Sequence, residues 1–475
     1  MNFLDKRGVA AKVWKQLTLF EQKGAVIRPV AFGEGGTGSE AVEERQAFTA
    51  RAHQRALTEN LMERIVSPSN LNRAYKRVKA NKGSPGTDKM TVWDLSQWLA
   101  DHKDELINQL LAGTYLPEPI RGVRIPKPDG SMRQLGIPTV RDRLVQQAIL
   151  QVLEPILDST FSESSHGFRP GRSAHTALKA AQCYVSEGYT IVVDMDIAKF
   201  FDHVNHDILM NRLSRWIGDK RLLRIVRRFL ESGMMQEGIC IRRMEGTPQG
   251  GPLSPILANL LLDDLDKELE RRGHRFVRYA DDANIYVRTK KAGERVLISV
   301  IRYLEKRLRL KVNTGKSAVD FISNRKFLGY RLLPGGKLGI SPASLKRVKE
   351  KIREITRRNR GVSFSRVIRE LNEHLGGWVT YYRLAQCRNH LRRLDEWIRR
   401  KLRCYRLKQR KRTKSIADFL MERGVPERRS WLLALTGKGW WRMSGSPQAN
   451  EAMPVTWFED NGLIMLTKRY MTVNN

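Results

Sequence analysis

The sequence predicts an α+β fold followed by a separate, strongly basic helical domain, on three observations. Between Tyr115 and Tyr330, short β-prone runs alternate with longer segments of helical periodicity. Beyond Ser344 the β-prone runs stop. From Lys346 to Lys414 there are 24 Lys and Arg against 6 Asp and Glu, so half of the chain's net +36 lies in one stretch of helical spacing.

A chain of 475 residues is too long for one small core and implies two or three domains. Residues 1–60 hold Gly33-Glu34-Gly35-Gly36-Thr37-Gly38, which cannot build a core, and are expected to form a flexible leader. A second segment, 61–190, starts with a basic helical pattern through Ile65, Leu71, Ala74 and Val78 that breaks at Asn81-Lys82-Gly83-Ser84-Pro85-Gly86. A third, 191–344, holds the sharpest β-prone runs. In the fourth, 345–414, Val367, Leu371, His374, Leu375 and Trp378, then Leu391, Leu394, Trp397 and Ile398, keep helical spacing, which puts the charges on the outer faces. The tail, 415–475, is less regular and carries Trp431, Trp440, Trp441 and Trp457.

With 86 Lys and Arg against 50 Asp and Glu and a pI near 10.4, the chain is far more basic than solubility requires, and a polyanion is its natural partner. Ribosomal and chromatin-like proteins are usually shorter and poorer in apolar runs; nucleic acid is the favoured partner, and a membrane surface is not. The four cysteines, Cys183, Cys240, Cys387 and Cys404, stand singly and form no metal knuckle or disulfide framework, as expected of reduced thiols in the cytoplasm. No apolar run approaches the ~20 residues of a membrane helix, and the first residues hold no signal core, so no membrane partner is expected.

The chemistry lies in carboxylates. Phe276-Val277-Arg278-Tyr279-Ala280-Asp281-Asp282-Ala283-Asn284-Ile285-Tyr286-Val287 reads as two short strands flanking adjacent aspartates, a hairpin with acid at its tip. Adjacent carboxylates repel, and a bound cation is a physical reason to keep both. Thr190-Ile191-Val192-Val193-Asp194-Met195-Asp196-Ile197-Ala198-Lys199-Phe200-Phe201-Asp202 reads as an apolar strand that delivers acid at its end before a helix starting near His203. Two acid-bearing strands in a basic protein suggest a two-metal centre, with ions ~3.5–4 Å apart, for nucleotidyl transfer. Oxygen ligands and phosphate favour Mg2+, with Mn2+ as an alternative.

With these blocks the chain resembles the reverse transcriptases of mobile group II introns, in the family's order from about Asn81 to Lys411. Ile125-Pro126-Lys127-Pro128-Asp129-Gly130-Ser131-Met132-Arg133, Gly136-Ile137-Pro138-Thr139-Val140-Arg141-Asp142-Arg143, Gly167-Phe168-Arg169-Pro170-Gly171-Arg172 and Gly246-Thr247-Pro248-Gln249-Gly250-Gly251-Pro252-Leu253-Ser254-Pro255 extend it. Within the family the chain is most similar to the bacterial class C group. The resemblance implies a right-hand polymerase: an N-terminal extension and fingers over 61–190, a palm over 191–344 with antiparallel sheet, a helical thumb and maturase domain over 345–414, and a small DNA-binding region over 415–475.

It also implies roles. Asp196, Asp281 and Asp282 would be the catalytic metal ligands, with the carbonyl of Ile197 as a further one. Phe201 matches the family's steric gate against a ribose 2′-hydroxyl. Lys127 and Arg133 match fingertip cations for the triphosphate of a deoxynucleotide. Gln249 would hydrogen-bond near the sugar, and Lys316 would attract phosphate or protonate the leaving pyrophosphate. Asp194 is expected to be a structural neighbour and Asp202 a helix cap or network residue.

Arg169, Arg172, Arg399, Arg400, Lys401 and Arg403 are expected to grip nucleic acid, while Trp378, Tyr381 and Trp397 are expected to pack between helices. Thr436-Gly437-Lys438-Gly439-Trp440-Trp441-Arg442-Met443 suits either base stacking or burial. Many relatives end in an H-N-H nuclease, but no His or Cys follows Cys404, and an existing DNA 3′ end is expected to serve as primer. The implied partners are group II intron RNA, an RNA template with DNA primer, target DNA and deoxynucleoside triphosphates. The resemblance thus implies an RNA-directed DNA polymerase that also assists splicing. A non-catalytic RNA-binding maturase and a retron or defence reverse transcriptase are the alternatives.

Overall fold

The computed structural model describes residues 60–126, 130, 132–236, 239–241, 244–248 and 250–474. The expected leader up to residue 59, Lys127 and Gln249 therefore lie outside the described residues. The chain divides into two compact units, Met1–Ala180 with Val193–Val319, and Ala181–Val192 with Asp320–Asn475.

The described residues of the first unit begin with helices α1 (Leu61–Val66), α2 (Pro68–Ala80) and α3 (Leu95–Leu111). The basic helical pattern read from the sequence forms two helices, because Pro68 lacks the N–H to continue α1 and starts α2 instead. Leu61, Ile65, Leu71, Ala74 and Val78 of these helices are buried, as their spacing predicts. Strands β1 (Ile120–Pro126) and β2 (Met132–Ile137) pair antiparallel, with Ile125 opposite Arg133. Helix α4 (Val140–Asp158) follows, its first turn capped by the Thr139 side chain accepting from the Asp142 N–H. After α5 (Ala174–Ser186) come β3 (Ile191–Asp196), α6 (His206–Ser214), α7 (Lys220–Glu231), β4 (Met234–Gln236) and β5 (Ile239–Ile241).

Strand order β2-β1-β4-β5 builds the first sheet. It departs from an all-antiparallel sheet where β1 meets β4, which run parallel; the long helical connection between them permits that pairing. Helix α8 (Ser254–Arg271) then leads to the hairpin of β6 (Arg275–Tyr279) and β7 (Asp282–Val287), helix α9 (Lys290–Tyr303) and β8 (Ala318–Phe321). The order β6-β7-β3-β8 sets β3 directly beside the hairpin.

The second unit carries β9 (Lys326–Phe327), β10 (Tyr330–Leu333) and β11 (Lys337–Ile340) as an antiparallel sheet, then α10 (Pro342–Ile355), α11 (Phe364–Tyr381) and α12 (Arg388–Arg410). Val367, Leu371, Leu375, Leu391, Leu394 and Ile398 form its apolar interior. Six shorter helices complete it: α13 (Thr413–Met421), α14 (Glu427–Ala434), α15 (Trp440–Met443), α16 (Pro447–Ala452), α17 (Val455–Asp460) and α18 (Leu466–Asn474). No helix among the described residues is long and apolar enough to cross a membrane.

Candidate active site

Strand β3 is apolar because it is central. Val193 and Met195 are buried, and Asp196, at the strand end, is half-buried. Its backbone is held from one side: the Asp196 N–H donates to Ser317 Oγ at 3.0 Å, and its carbonyl accepts from the Asn313 N–H at 2.8 Å. Ala198 N–H reaches the Lys311 carbonyl at 2.9 Å, so Ile197's neighbours make the pairing and its own carbonyl takes no part in it. Lys316 arrives on this loop, its ammonium 3.8 Å from the Asp196 carboxylate.

The β6–β7 hairpin brings the other acids. Tyr279 pairs with Asp282, leaving Ala280 and Asp281 as a two-residue turn. Ala280 takes φ 59°, the positive value such tight hairpin turns require and a side chain resists. Asp282 is exposed and Asp281 half-buried. Burial pushes the Asp281 carboxyl above the usual carboxylate range, and the Asp196 charge adds to the push while Arg133 and Arg278 pull it down. Asp281 thus feels the acid of β3 and the cation of β2 together.

Phe201 lies half-exposed in the turn Phe200–Asp202, edge-on to buried Phe200 at 5.2 Å. The Thr247 N–H donates to the Phe201 carbonyl at 2.7 Å, and Gly246 approaches so closely that a Cβ there would stand 2.9 Å from that oxygen. The glycine-rich block therefore fixes the backbone that carries the ring. Helix α6 starts at His206, three residues later than expected, and its cap is Asn205 rather than Asp202.

A cavity of about 560 Å³ opens here, lined by Arg133, Phe168, Phe201, Gly250, Gly251 and Pro252 among others. The structure thus gathers Asp196, Asp281, Asp282, Phe201, Arg133 and Lys316 in one unit. Among the described residues no group of three or more His, Cys, Asp or Glu side chains is placed to hold a metal ion.

Sequence reasoning missed two features. Phe168 is half-exposed in the cavity at φ 57°. Arg278 is buried on β6 against Asp266 of α8. Part of the signal for the second was present: a charge inside an apolar strand run needs a partner, but Asp266 stands among Asp263, Asp264, Lys267 and Glu268 and nothing local marks it as that partner.

Of the six cations expected to grip nucleic acid, Arg169 and Arg403 need correction. Arg169 is buried; it donates to the Asp158 carboxylate at 2.7 Å and to the carbonyls of Asp158, Ser162 and Ser165 at 2.9, 2.5 and 3.1 Å. Every nitrogen is committed to holding its loop, so no face is left for phosphate. Arg403 is buried and donates twice to the Met453 carbonyl, at 3.0 and 2.9 Å. Its burial and the nearby Arg399 charge bring its pKa down to about 10. Arg172 pairs with Glu163. Arg400 and Lys401 are half-buried on α12 over the Trp441 ring, at 4.3 and 5.7 Å, and Lys401 also lies over Trp397. Half-buried Trp378 packs on Tyr382 at 4.8 Å, four residues along at the end of its own helix, a contact within one helix rather than between helices.

Two family models match the chain: Reverse transcriptase (RNA-dependent DNA polymerase) over residues 125–332, and Group II intron, maturase-specific domain over residues 345–424. Protein YkfC of Escherichia coli (strain K12) is 32% identical over 316 residues, covering 58% of this chain and 83% of that protein. The group II intron-encoded protein LtrA of Lactococcus lactis subsp. cremoris is 38% identical over 196 residues, 41% of this chain but only 32% of LtrA. Among solved structures, the partial Cas6-RT-Cas1–Cas2 complex aligns at 29% identity over 52% of this chain and 43% of that one, with a TM-score of 0.35, too low to bear on the fold.

Proposed function

Because the chain belongs to the group II intron-encoded reverse transcriptases, which are RNA-directed DNA polymerases, we propose that it extends a DNA primer on an RNA template at Asp196, Asp281 and Asp282. The observation that carries this reading is the meeting of two acid-bearing elements: β3, which ends at Asp196, lies directly beside the β6–β7 hairpin that carries Asp281 and Asp282 at its tip, in the unit whose cavity Phe201 lines.

The three carboxylates would hold two Mg2+ ions, with the Ile197 carbonyl as a further ligand; hard oxygen donors in an open array suit that ion, and phosphate oxygens would complete its shell. Bound there, the ions supply charge neutralisation for the attacking 3′-oxygen and the leaving pyrophosphate. The chain's own residues do the rest. Phe201, pinned through its carbonyl by Thr247, excludes a 2′-hydroxyl and so selects deoxynucleotides. Arg133 and Lys127 would bring cations to the triphosphate, Gln249 would meet the sugar, and Lys316 supplies a point charge beside Asp196.

The basic helical unit, with Arg399, Arg400 and Lys401 on α12, would bind the intron RNA, assist its splicing and hold it while the intron is copied into target DNA. Such work is expected in the cytoplasm. A non-catalytic maturase is the competing reading, favoured only by the density of charge in that unit.

Primer extension with deoxynucleotides and Mg2+ on an RNA template tests the proposal. Wild type should extend the primer, and Asp281→Asn/Asp282→Asn should abolish extension while RNA binding persists. Tight RNA binding with no extension by wild type would overturn the polymerase reading in favour of the maturase.

A further inference from the structure

Arg278 of β6 is 1% exposed and Asp266 of α8 is fully buried, and the guanidinium meets the carboxylate through Nε at 2.8 Å and Nη2 at 2.5 Å. Burial drives the Asp266 carboxyl toward protonation, and the guanidinium opposes it. A buried ion pair adds little net stability over apolar packing of the same volume, so its presence invites another account.

Nη1 supplies one. It donates to the carbonyl of Ala280 at 3.0 Å and to Asn259 Oδ1 at 2.9 Å. Asn259 Nδ2 in turn donates to the Gly167 carbonyl at 2.8 Å. Gly167 presses on the same turn, since a Cβ there would stand 2.2 Å from the Ala280 nitrogen. Main-chain bonds close the ring: the Arg278 N–H reaches the Ser164 carbonyl and the His166 N–H reaches the Arg278 carbonyl, both at 2.9 Å. Ala280 is thus gripped at its carbonyl and wedged at its nitrogen, in a positive-φ conformation that persists only where its surroundings over-determine it.

We propose that Arg278, through Asn259 and Gly167, is a positioning residue that locks the Ala280–Asp281 turn in the geometry at which Asp281 and Asp282 serve polymerisation. The proposal rests on the reading that these aspartates hold the metal ions. Arg278 touches no substrate; it acts through one carbonyl of the turn. Arg278→Lys keeps a cation for Asp266 but cannot reach Ala280 and Asn259 together. Asn259→Ala removes the link to Gly167 and leaves the ion pair whole. Gly167→Ala pushes on the turn from the opposite side.

The test uses the full chain and compares the three variants with wild type and with Asp281→Asn. Primer-extension kcat, deoxynucleotide KM and primer–template Kd are measured, with Mn2+ binding by electron paramagnetic resonance and Tm as readouts independent of turnover. Asn259→Ala and Gly167→Ala should lose ~10–100-fold in kcat and in Mn2+ affinity, the usual cost of releasing a ligand's support. Their primer–template Kd should stay within about twofold of wild type, because the nucleic-acid surface is untouched. A lowered Tm with wild-type kcat and Mn2+ binding would overturn the proposal and reduce Arg278 to a fold staple. If Arg278→Lys does not fold, Asn259→Ala and Gly167→Ala decide. An active wild type with a dead Asp281→Asn upholds the polymerase reading whatever the clamp variants do. A wild type that extends no primer sinks that reading, and the Mn2+ titration then still decides the clamp.

Discussion

Lys316 holds its ammonium 3.8 Å from the Asp196 carboxylate, on a loop whose Asn313 and Ser317 are hydrogen-bonded to the Asp196 backbone. The lysine side chain is 62% exposed, so the pair adds almost nothing to stability. On the proposal that Asp196 holds a metal ion, this position suits recruitment of an incoming polyphosphate. Lys316→Ala should leave Tm unchanged and raise the deoxynucleotide KM by ~10-fold, and Lys316→Arg should retain most of the wild-type value. A loss in kcat with KM intact, accompanied by a shifted basic limb of the pH–rate profile, would instead assign it the protonation of pyrophosphate.

Phe201 is half-exposed at the cavity and contributes little to the core, where Phe200 sits at 2% exposure. Phe201→Ala should therefore fold normally and lose discrimination against ribonucleotides by ~10²-fold, the scale expected for a shape-based gate. The ratio of kcat/KM for a deoxynucleotide and its ribonucleotide counterpart measures this. An unchanged ratio would remove Phe201 as the gate.

The acids of the site were legible in the sequence because their surroundings are local: an apolar run ending in Asp196 and a hairpin turn at Asp281 follow from side-chain period and turn chemistry. What holds them was not. Arg278 meets Asp266 across 12 positions, and Asn259 meets Gly167 across 92; no periodicity encodes which buried charges find each other. Arg169 shows the converse error. It stands in a basic motif that reads as a phosphate grip, but the folded loop turns it inward onto Asp158. The helical unit's apolar faces were readable from spacing, whereas which cations stay at the surface depends on the packing of distant helices.

Arg169 therefore makes a stability prediction. Its side chain is 4% exposed and that of Asp158 26%, so the pair is buried on one side and partly wet on the other. Arg169→Ala leaves three carbonyls and a carboxylate without their donor and should cost roughly 2–3 kcal/mol, somewhat less than breaking a fully buried pair. Urea denaturation reads the loss. An unchanged midpoint with weakened RNA binding would restore Arg169 to the interface.

Asp142 gives the first unit a pH dependence. Its carboxylate accepts from the Tyr115 hydroxyl at 2.8 Å, the Thr139 hydroxyl at 2.7 Å and the Glu118 N–H at 3.2 Å, yet burial outweighs these bonds and raises its pKa to about 6. A carboxyl raised in the fold is bound more tightly to its proton there than in the unfolded chain. Its contribution is fully present below the unfolded value near 3.8 and is lost as pH climbs through about 6, a change on the order of 3 kcal/mol. Asp142→Asn keeps the neutral form's hydrogen bonds at every pH. The variant's Tm relative to wild type should rise between pH 4 and about 6.5 and then level off. A flat difference would show that the carboxylate is well solvated by its three donors.

Arg400 and Arg403 sit three residues apart on α12 and should separate binding from folding. Arg400 lies over the Trp441 ring at 4.3 Å and is partly open to solvent, whereas Arg403 is 8% exposed and tied to the Met453 carbonyl. A phosphate contact releases condensed counterions, so losing one lowers the slope of log K against log salt by about one. Arg400→Ala should show that lowered slope with little change in Tm, and Lys401→Ala should do the same. Arg403→Ala should lower Tm and leave the slope intact when binding is measured well below the transition. Trp441 refines the test, because an aromatic ring beneath a guanidinium orients it without carrying charge. Trp441→Leu should weaken RNA binding while preserving the slope, and a reduced slope in that variant would mean that the ring, rather than Arg400, sets how many phosphates α12 engages.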